Sequence, residues 1–205
     1  MEYKLKTYNN ARTVRVCGVI DNGSLSTFKN DIANIVRDDD AVIAENIENL
    51  RNFDERLCER YKETMILPPP IVLDITTHGG LCLEGIAFYD ILRSMNDEGT
   101  HPVVCEMSGC IASMGTFIVL GCDVRKIHKN TSVCVHSIGG GAFGKIMEVK
   151  EDYEEMKRIS DLLHEIYYKH TNITREQIEE IDRTKRDWWF NAEEALKMGI
   201  ATDII

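Results

Sequence analysis

The chain has 205 residues, 43% of them apolar and 28% charged, with a formal net charge of −10; this is a globular composition, long enough for one domain with a sizeable core and barely long enough for two. The acidic balance disfavours non-specific nucleic-acid binding, which needs a basic surface, and no apolar run approaches the roughly 18 to 20 residues of a membrane span. The seven cysteines are odd in number and form no C-x-x-C pair, so neither a disulfide framework nor a zinc knuckle is signalled, and no metal or other cofactor is expected.

The opening MEYKLKTYNNARTV has no apolar h-region and does not read as a signal peptide. Apolar contexts such as VRVCGVI and SVCVH suit free thiols buried as small hydrophobes in a reducing cytoplasm. Residues 13–20, TVRVCGVI, predict a strand that ends at the turn signal Asp21-Asn22-Gly23. A helix is expected from about Ser24, with Leu25, Phe28, Ile32 and Ile35 at helical spacing. More helix is expected over 41–65, with Ile43, Ile47, Leu50 and Phe53 on one stripe, until the prolines at 68–70 stop it. The run Asp38-Asp39-Asp40 and the acidic stretch 148–155 are expected on solvated faces.

IVLDIT (71–76) predicts a strand covered on both faces, broken by Gly79-Gly80. A helix follows over roughly 83–95, then a buried strand HPVVCEM (101–107), then an apolar helix ASMGTFIVLGC (112–122). VRKIH (124–128) and SVCVH (132–136) predict two short strands, and this alternation implies an α/β fold with a largely parallel sheet. After Gly139-Gly140-Gly141 one long helix is expected over roughly 146–170. Its apolar residues Val149, Tyr153, Met156, Ile159, Leu163 and Ile166 form a seam narrow enough for a helix–helix contact. Thr174 and Asn191 are expected to start two short helices. With no internal repeat or linker, residues 1–205 are expected to form a single domain.

Hydrolysis of an amide needs a nucleophile, a base, a group that orients the base, and donors for the oxyanion. Ser113 in GCIASMG is the candidate nucleophile, at the start of an apolar helix whose free N–H groups favour developing negative charge. Taken alone it could equally be a helix cap. His136, ending SVCVH before a Gly-rich loop, is the candidate base, and alone it could be a structural histidine. Asp187, beside Trp188, Trp189 and Phe190, is the candidate orienter and is expected to be partly desolvated; the plain alternative is a salt bridge to Arg183 or Arg186. Gly79-Gly80 after a buried strand, and the residue after the serine, could supply backbone N–H groups, or the glycines could be an ordinary turn.

Gly-Gly after a strand, ASMG, a histidine ending a strand, a long amphipathic helix, then T-x-R-D before aromatics and an A-E-E-A helix occur here in one order, and over about residues 13–205 this order resembles the proteolytic subunit of the Clp protease, the ClpP-like serine peptidases. The resemblance implies a crotonase-like β/α superhelix with a protruding handle helix at about 146–170. It implies a catalytic triad of Ser113, His136 and Asp187, with the backbone N–H groups of Gly80 and Met114 as the oxyanion hole. It implies a homo-oligomer of stacked heptameric rings that encloses the sites, unfolded polypeptides as substrates, and an AAA+ unfoldase as a candidate partner.

Four departures stand out. His78 replaces the family's proline before Gly-Gly, and Ser137-Ile138 replace Gln-Pro after the histidine. The helical connection over about 39–67 looks longer than the family's, and the polar segment before the first strand looks shorter, which would suit a phage-encoded or accessory member that cleaves peptides without ATP. Two other classes compete: a ring-forming relative without activity, and a crotonase-type acyl-CoA enzyme, which would leave a complete Ser-His-Asp set unused. A Ser-Lys dyad through Lys126 or Lys129 would leave His136 and Asp187 unexplained.

Overall fold

The structure, a computed structural model, describes residues 5–63 and 67–205. Residues 1–4 of the opening segment lie outside the described residues, as do residues 64 and 65 at the end of the expected second helix. Strand β1 (Thr13–Ile20) leads into helix α1 (Asn22–Phe53) and the short α2 (Glu55–Glu63). Then follow β2 (Ile71–Gly80), α3 (Cys82–Glu98), β3 (Val103–Ala112), α4 (Met114–Val119), β4 (Val124–Ile127) and β5 (Ser132–Val135). The chain closes with α5 (Ile146–His170), α6 (Arg175–Thr184), β6 (Trp188–Phe190), α7 (Ala192–Lys197) and β7 (Asp203–Ile204).

One sheet runs β1-β2-β3-β4-β7, and β5 leaves this path to pair with the far end of β3 and with β6. Every pairing is parallel except β5 with β6. The expected α/β class with a largely parallel sheet is therefore the observed one. Ile71, Leu73 and Ile75 of β2 and Cys105 and Met107 of β3 are sealed in the core, with Phe28, Phe88 and Leu92 from the helices packed over them.

Several boundaries differ from expectation for identifiable reasons. The turn signal Asp21-Asn22-Gly23 is the start of α1 itself: Asp21 accepts from the Ser24 N–H at 2.8 Å while Ser24 Oγ accepts from the Asp21 N–H at 2.9 Å, a reciprocal cap. Gly79 and Gly80 do not break β2 but form its last two positions, opposite Val19 and Ile20. Strand β3 runs past the expected end at 107 and takes in Ala112, the first residue of the expected helix, and α4 is only six residues long. An apolar run of that length carries no period that separates a buried strand from a buried helix.

Asp39 is not on a solvated face. It is buried in α1 and holds the guanidinium of Arg12 through two hydrogen bonds of 2.6 and 2.8 Å. About two turns further along α1, the Asn46 side chain accepts from the Lys6 N–H at 2.8 Å and donates to the Lys6 carbonyl at 3.1 Å. Residues 5–12 are thereby tied along α1. The expected stripe of the second helical stretch also shifts: Asn46 and Leu50 are buried, whereas Phe53 is exposed.

Helix α5 has the expected bounds, but its seam serves two purposes. Leu163, Ile166 and Tyr167 enter the core of their own chain. Ile146, Met147, Val149 and Tyr153, in the first half, are exposed and continue from a fully exposed Phe143. The first half of α5 thus projects away from the core with an apolar row uncovered.

Candidate functional site

The site is assembled by three strand ends. The last residues of β3 pair with β5, with Ala112 opposite Cys134, and the Ser113 N–H donates to the Cys134 carbonyl at 3.1 Å. β5 in turn pairs antiparallel with β6, with Val135 opposite Trp188. Ser113 follows Ala112, His136 follows Val135, and Asp187 precedes Trp188. The register therefore gathers all three candidates at one edge of the sheet.

Ser113 occupies a sharp strand-to-helix turn with φ 54° and ψ −127°. Such a conformation is costly for a residue with a side chain and is concentrated at functional sites. Its side chain makes no capping bond to α4, which removes the helix-cap reading. Instead the turn is held through its backbone. The Ser113 carbonyl accepts from the Thr116 N–H at 2.9 Å and from Thr116 Oγ1 at 2.7 Å, and Thr116 Oγ1 accepts from the Tyr167 hydroxyl at 2.6 Å. Burial pushes the Tyr167 phenol up, against that hydrogen bond, so it remains a neutral donor. Neither Thr116 nor Tyr167 was signalled by the sequence; both look like core residues until the turn they support is seen.

His136 is half-buried, and its Nδ1 lies 2.6 Å from the Ser137 carbonyl. A carbonyl can only accept, so Nδ1 carries a proton, and in the neutral ring Nε2 then holds the lone pair. That is the tautomer a general base needs. The orienting contact here comes from Ser137 rather than from Asp187.

Asp187 is exposed, against the expectation of partial desolvation: the neighbouring indole of Trp189 is itself turned outward. The salt bridge to Arg183 does not form either, since Arg183 pairs with Glu180 at 2.5 Å. Among the described residues Asp187 has no ion pair. Its charge does reach the site: the Cys134 thiol is pushed up to about 11, first by burial and then by the Asp187 carboxylate. Asp187 also borders an open cleft of about 390 Å³, with Glu176 and Glu180 at its rim and Ile181 and Trp188 as its apolar floor.

The backbone groups lie on the other side of the serine. A Cβ on Gly79 would sit 2.5 Å from Ser113 Cβ and 3.0 Å from its Oγ, so the main chain of β2 is pressed against the nucleophile. A Cβ on Gly80 would meet the Ile20 carbonyl at 2.1 Å. Met114 opens α4, where N–H groups have no intrahelical acceptor. His78, next to Gly79, points to β3, with its Nδ1 3.5 Å from the Cys110 thiol. Lys126 of β4 faces Glu106 of β3 at 3.6 Å. Among the described residues no cluster of three or more His, Cys, Asp or Glu side chains could hold a metal ion, and no helix is long and apolar enough to cross a membrane.

Comparison with known proteins follows the same lines. A model of the Clp protease family matches residues 61–205. The ATP-dependent Clp protease proteolytic subunit of Deinococcus radiodurans is 28% identical over 137 residues, 66% of this chain and 64% of that protein, so the match spans less than two thirds of the relative's length. A ClpP1 mutant from Listeria monocytogenes superposes with a TM-score of 0.65 at 21% identity, over 95% of this chain and 91% of that one, a likeness of fold.

Proposed function

The chain belongs to the Clp protease family, and from that premise we propose that it is a serine endopeptidase in which Ser113, His136 and Asp187 act as a triad. Ser113 Oγ attacks the scissile carbonyl and passes its proton to His136 Nε2. The imidazolium then protonates the leaving amine, and water repeats the cycle in reverse to release the acyl group. Asp187 stabilises the imidazolium by taking over the Nδ1–H now held by Ser137. The N–H groups of Gly80 and Met114 receive the oxyanion. The observation that carries this reading is the uncapped Ser113 side chain on its strained turn, with the Gly79 backbone against it.

The exposed apolar row on the first half of α5 supports assembly into stacked rings, with this helix at the ring–ring contact and residues 1–205 acting as a single unit. Rings that enclose their sites admit peptides and unfolded polypeptides and exclude folded proteins. The segment 5–12 is tied along α1 through Asn46 and Asp39, which argues against a free gating loop. Cleavage of short peptides therefore needs no ATP, and an AAA+ unfoldase is needed only for folded substrates. The setting is the cytoplasm.

A fluorophosphonate label mapped by peptide sequencing tests the reading. It attaches to Ser113, and Ser113→Ala lowers peptide turnover by roughly 10⁴- to 10⁶-fold without unfolding. One observation favours a second reading, a ring-forming relative without activity: His136 is oriented by Ser137 and not by Asp187. Absence of both label and turnover in the assembled wild type would select it.

A further inference from the structure

The end of β2 is irregular on both sides. β1 slips register against it between Cys17 and Val19, and β3 slips between Ile75 and Thr77. Two threonine hydroxyls take up the freed groups. Thr76 Oγ1 donates to the Ser108 carbonyl of β3 at 2.7 Å. Thr77 Oγ1 donates the other way, to the Gly18 carbonyl in the bulge of β1, at 2.5 Å. With its proton committed to Gly18, the Thr77 oxygen presents a lone pair to the Gly79 N–H, which it accepts at 2.9 Å. Thr77 is 1% exposed, so water offers no substitute. Its methyl packs against α4: a Cβ on Gly115 would lie 2.5 Å from Thr77 Cγ2.

One buried side chain thus touches the β1 bulge, the glycine pair and the helix that follows the nucleophile. Because Thr77 engages the Gly79 N–H, that group is not available to an oxyanion. The next peptide N–H along the chain is that of Gly80, the group assigned to the oxyanion above. Gly79 itself, at φ +99°, could otherwise swing over a wide range of conformations.

We propose that Thr77 is the positioning residue of the oxyanion hole: its hydroxyl, anchored on Gly18, retains the Gly79 N–H and so fixes the Gly80 N–H beside Ser113. This rests on the peptidase reading given above. Thr77 does not touch substrate; it acts through the two glycines. Loss of an oxyanion donor outright costs about 10²- to 10³-fold in kcat, and loosening one costs less.

The test compares Thr77→Val, which keeps the shape and loses the hydroxyl, with Thr77→Ser, which keeps the hydroxyl. Thr77→Val lowers kcat for a short peptide about 10- to 100-fold with KM changed less than threefold, while Thr77→Ser keeps at least a third of wild-type kcat. Hydrogen exchange of the 77–81 backbone rises about tenfold or more in Thr77→Val, and exchange in the second half of α5 is unchanged. If Thr77→Val does not fold, Thr77→Ala takes its place with the same expectations. Wild-type-like kcat, unchanged exchange at 77–81, or an equal loss in Thr77→Ser overturns the proposal while leaving the peptidase reading intact. A wild type that neither cleaves peptides nor takes a fluorophosphonate overturns the reading and this proposal with it.

Discussion

Arg12 and Asp39 meet through a bidentate contact of 2.6 and 2.8 Å, with only 6% and 1% of their surfaces exposed. His101 stands beside them, its Nε2 3.5 Å from Asp39 Oδ2. Removing one partner strands the other charge where water cannot reach it, which costs about 3–5 kcal/mol. Asp39→Asn and Arg12→Leu should each lower the urea midpoint accordingly. Arg12→Leu combined with Asp39→Leu should recover much of the loss, because no lone charge remains. Single variants with wild-type midpoints would show that the pair is solvated.

Asp187→Asn probes the base. In triads whose histidine depends wholly on the aspartate, losing the carboxylate costs about 10⁴-fold. Here the Ser137 carbonyl already holds Nδ1–H in the productive tautomer. Turnover by Asp187→Asn should therefore fall about 10²- to 10⁴-fold, less than for Ser113→Ala. Turnover at wild-type level would remove Asp187 from the mechanism.

The two halves of α5 should respond differently to substitution. Ile146 is 86% exposed and Leu163 is fully buried. Ile146→Glu with Tyr153→Glu places charge in the row assigned to the ring–ring contact, and sedimentation should show smaller particles of normally folded chain. Leu163→Ala opens a cavity in the core and should destabilise by about 2–5 kcal/mol. A large particle that survives both glutamates would place the contact elsewhere.

His170, the last residue of α5, gives a pH signature. Its Nε2 lies 2.8 Å from the Tyr89 hydroxyl. Burial first, and then the positive charges of Lys169, Arg93 and Arg125, hold its pKa below the ordinary 6.5, with Asp123 pulling the other way. The unfolded chain therefore binds this proton more readily than the folded one. The neutral state's contribution to stability is full above about pH 6.5 and is lost as pH falls through the lower folded value. The urea midpoint should decline over that window, and His170→Gln should flatten the decline. An identical profile in the variant would clear His170 of the effect.

Much of the architecture was readable from residue pattern. The alternation of apolar runs placed β1 through β5 and the parallel sheet, and the three-and-four spacing set the bounds of α5. Thr174 and Asn191 were found as caps because capping is local chemistry: each accepts from a backbone N–H three residues on. What stayed hidden depends on contacts distant in sequence. Asp39 sits in a run of three aspartates, and Arg12, 27 positions away, with His101 beside it, distinguishes it from its neighbours. The exposure of Asp187 depends on where β6 meets β5, not on the aromatics beside it. Ser113, His136 and Asp187 were candidates from order and context, whereas the contacts of Thr77, Thr116 and Tyr167 become visible only once three strands and two helices have converged.

The backbone at Ser113 also limits which nucleophiles this position could host. At φ 54° a branched Cβ collides with its own main chain, and Gly79 leaves no slack on the β2 side. Cysteine, unbranched and only slightly larger, fits the same turn; threonine does not. The bend that lifts the hydroxyl out of the sheet therefore confines descendants of this chain to serine or thiol chemistry. A threonine peptidase could not arise here by a single substitution, however well the histidine were placed.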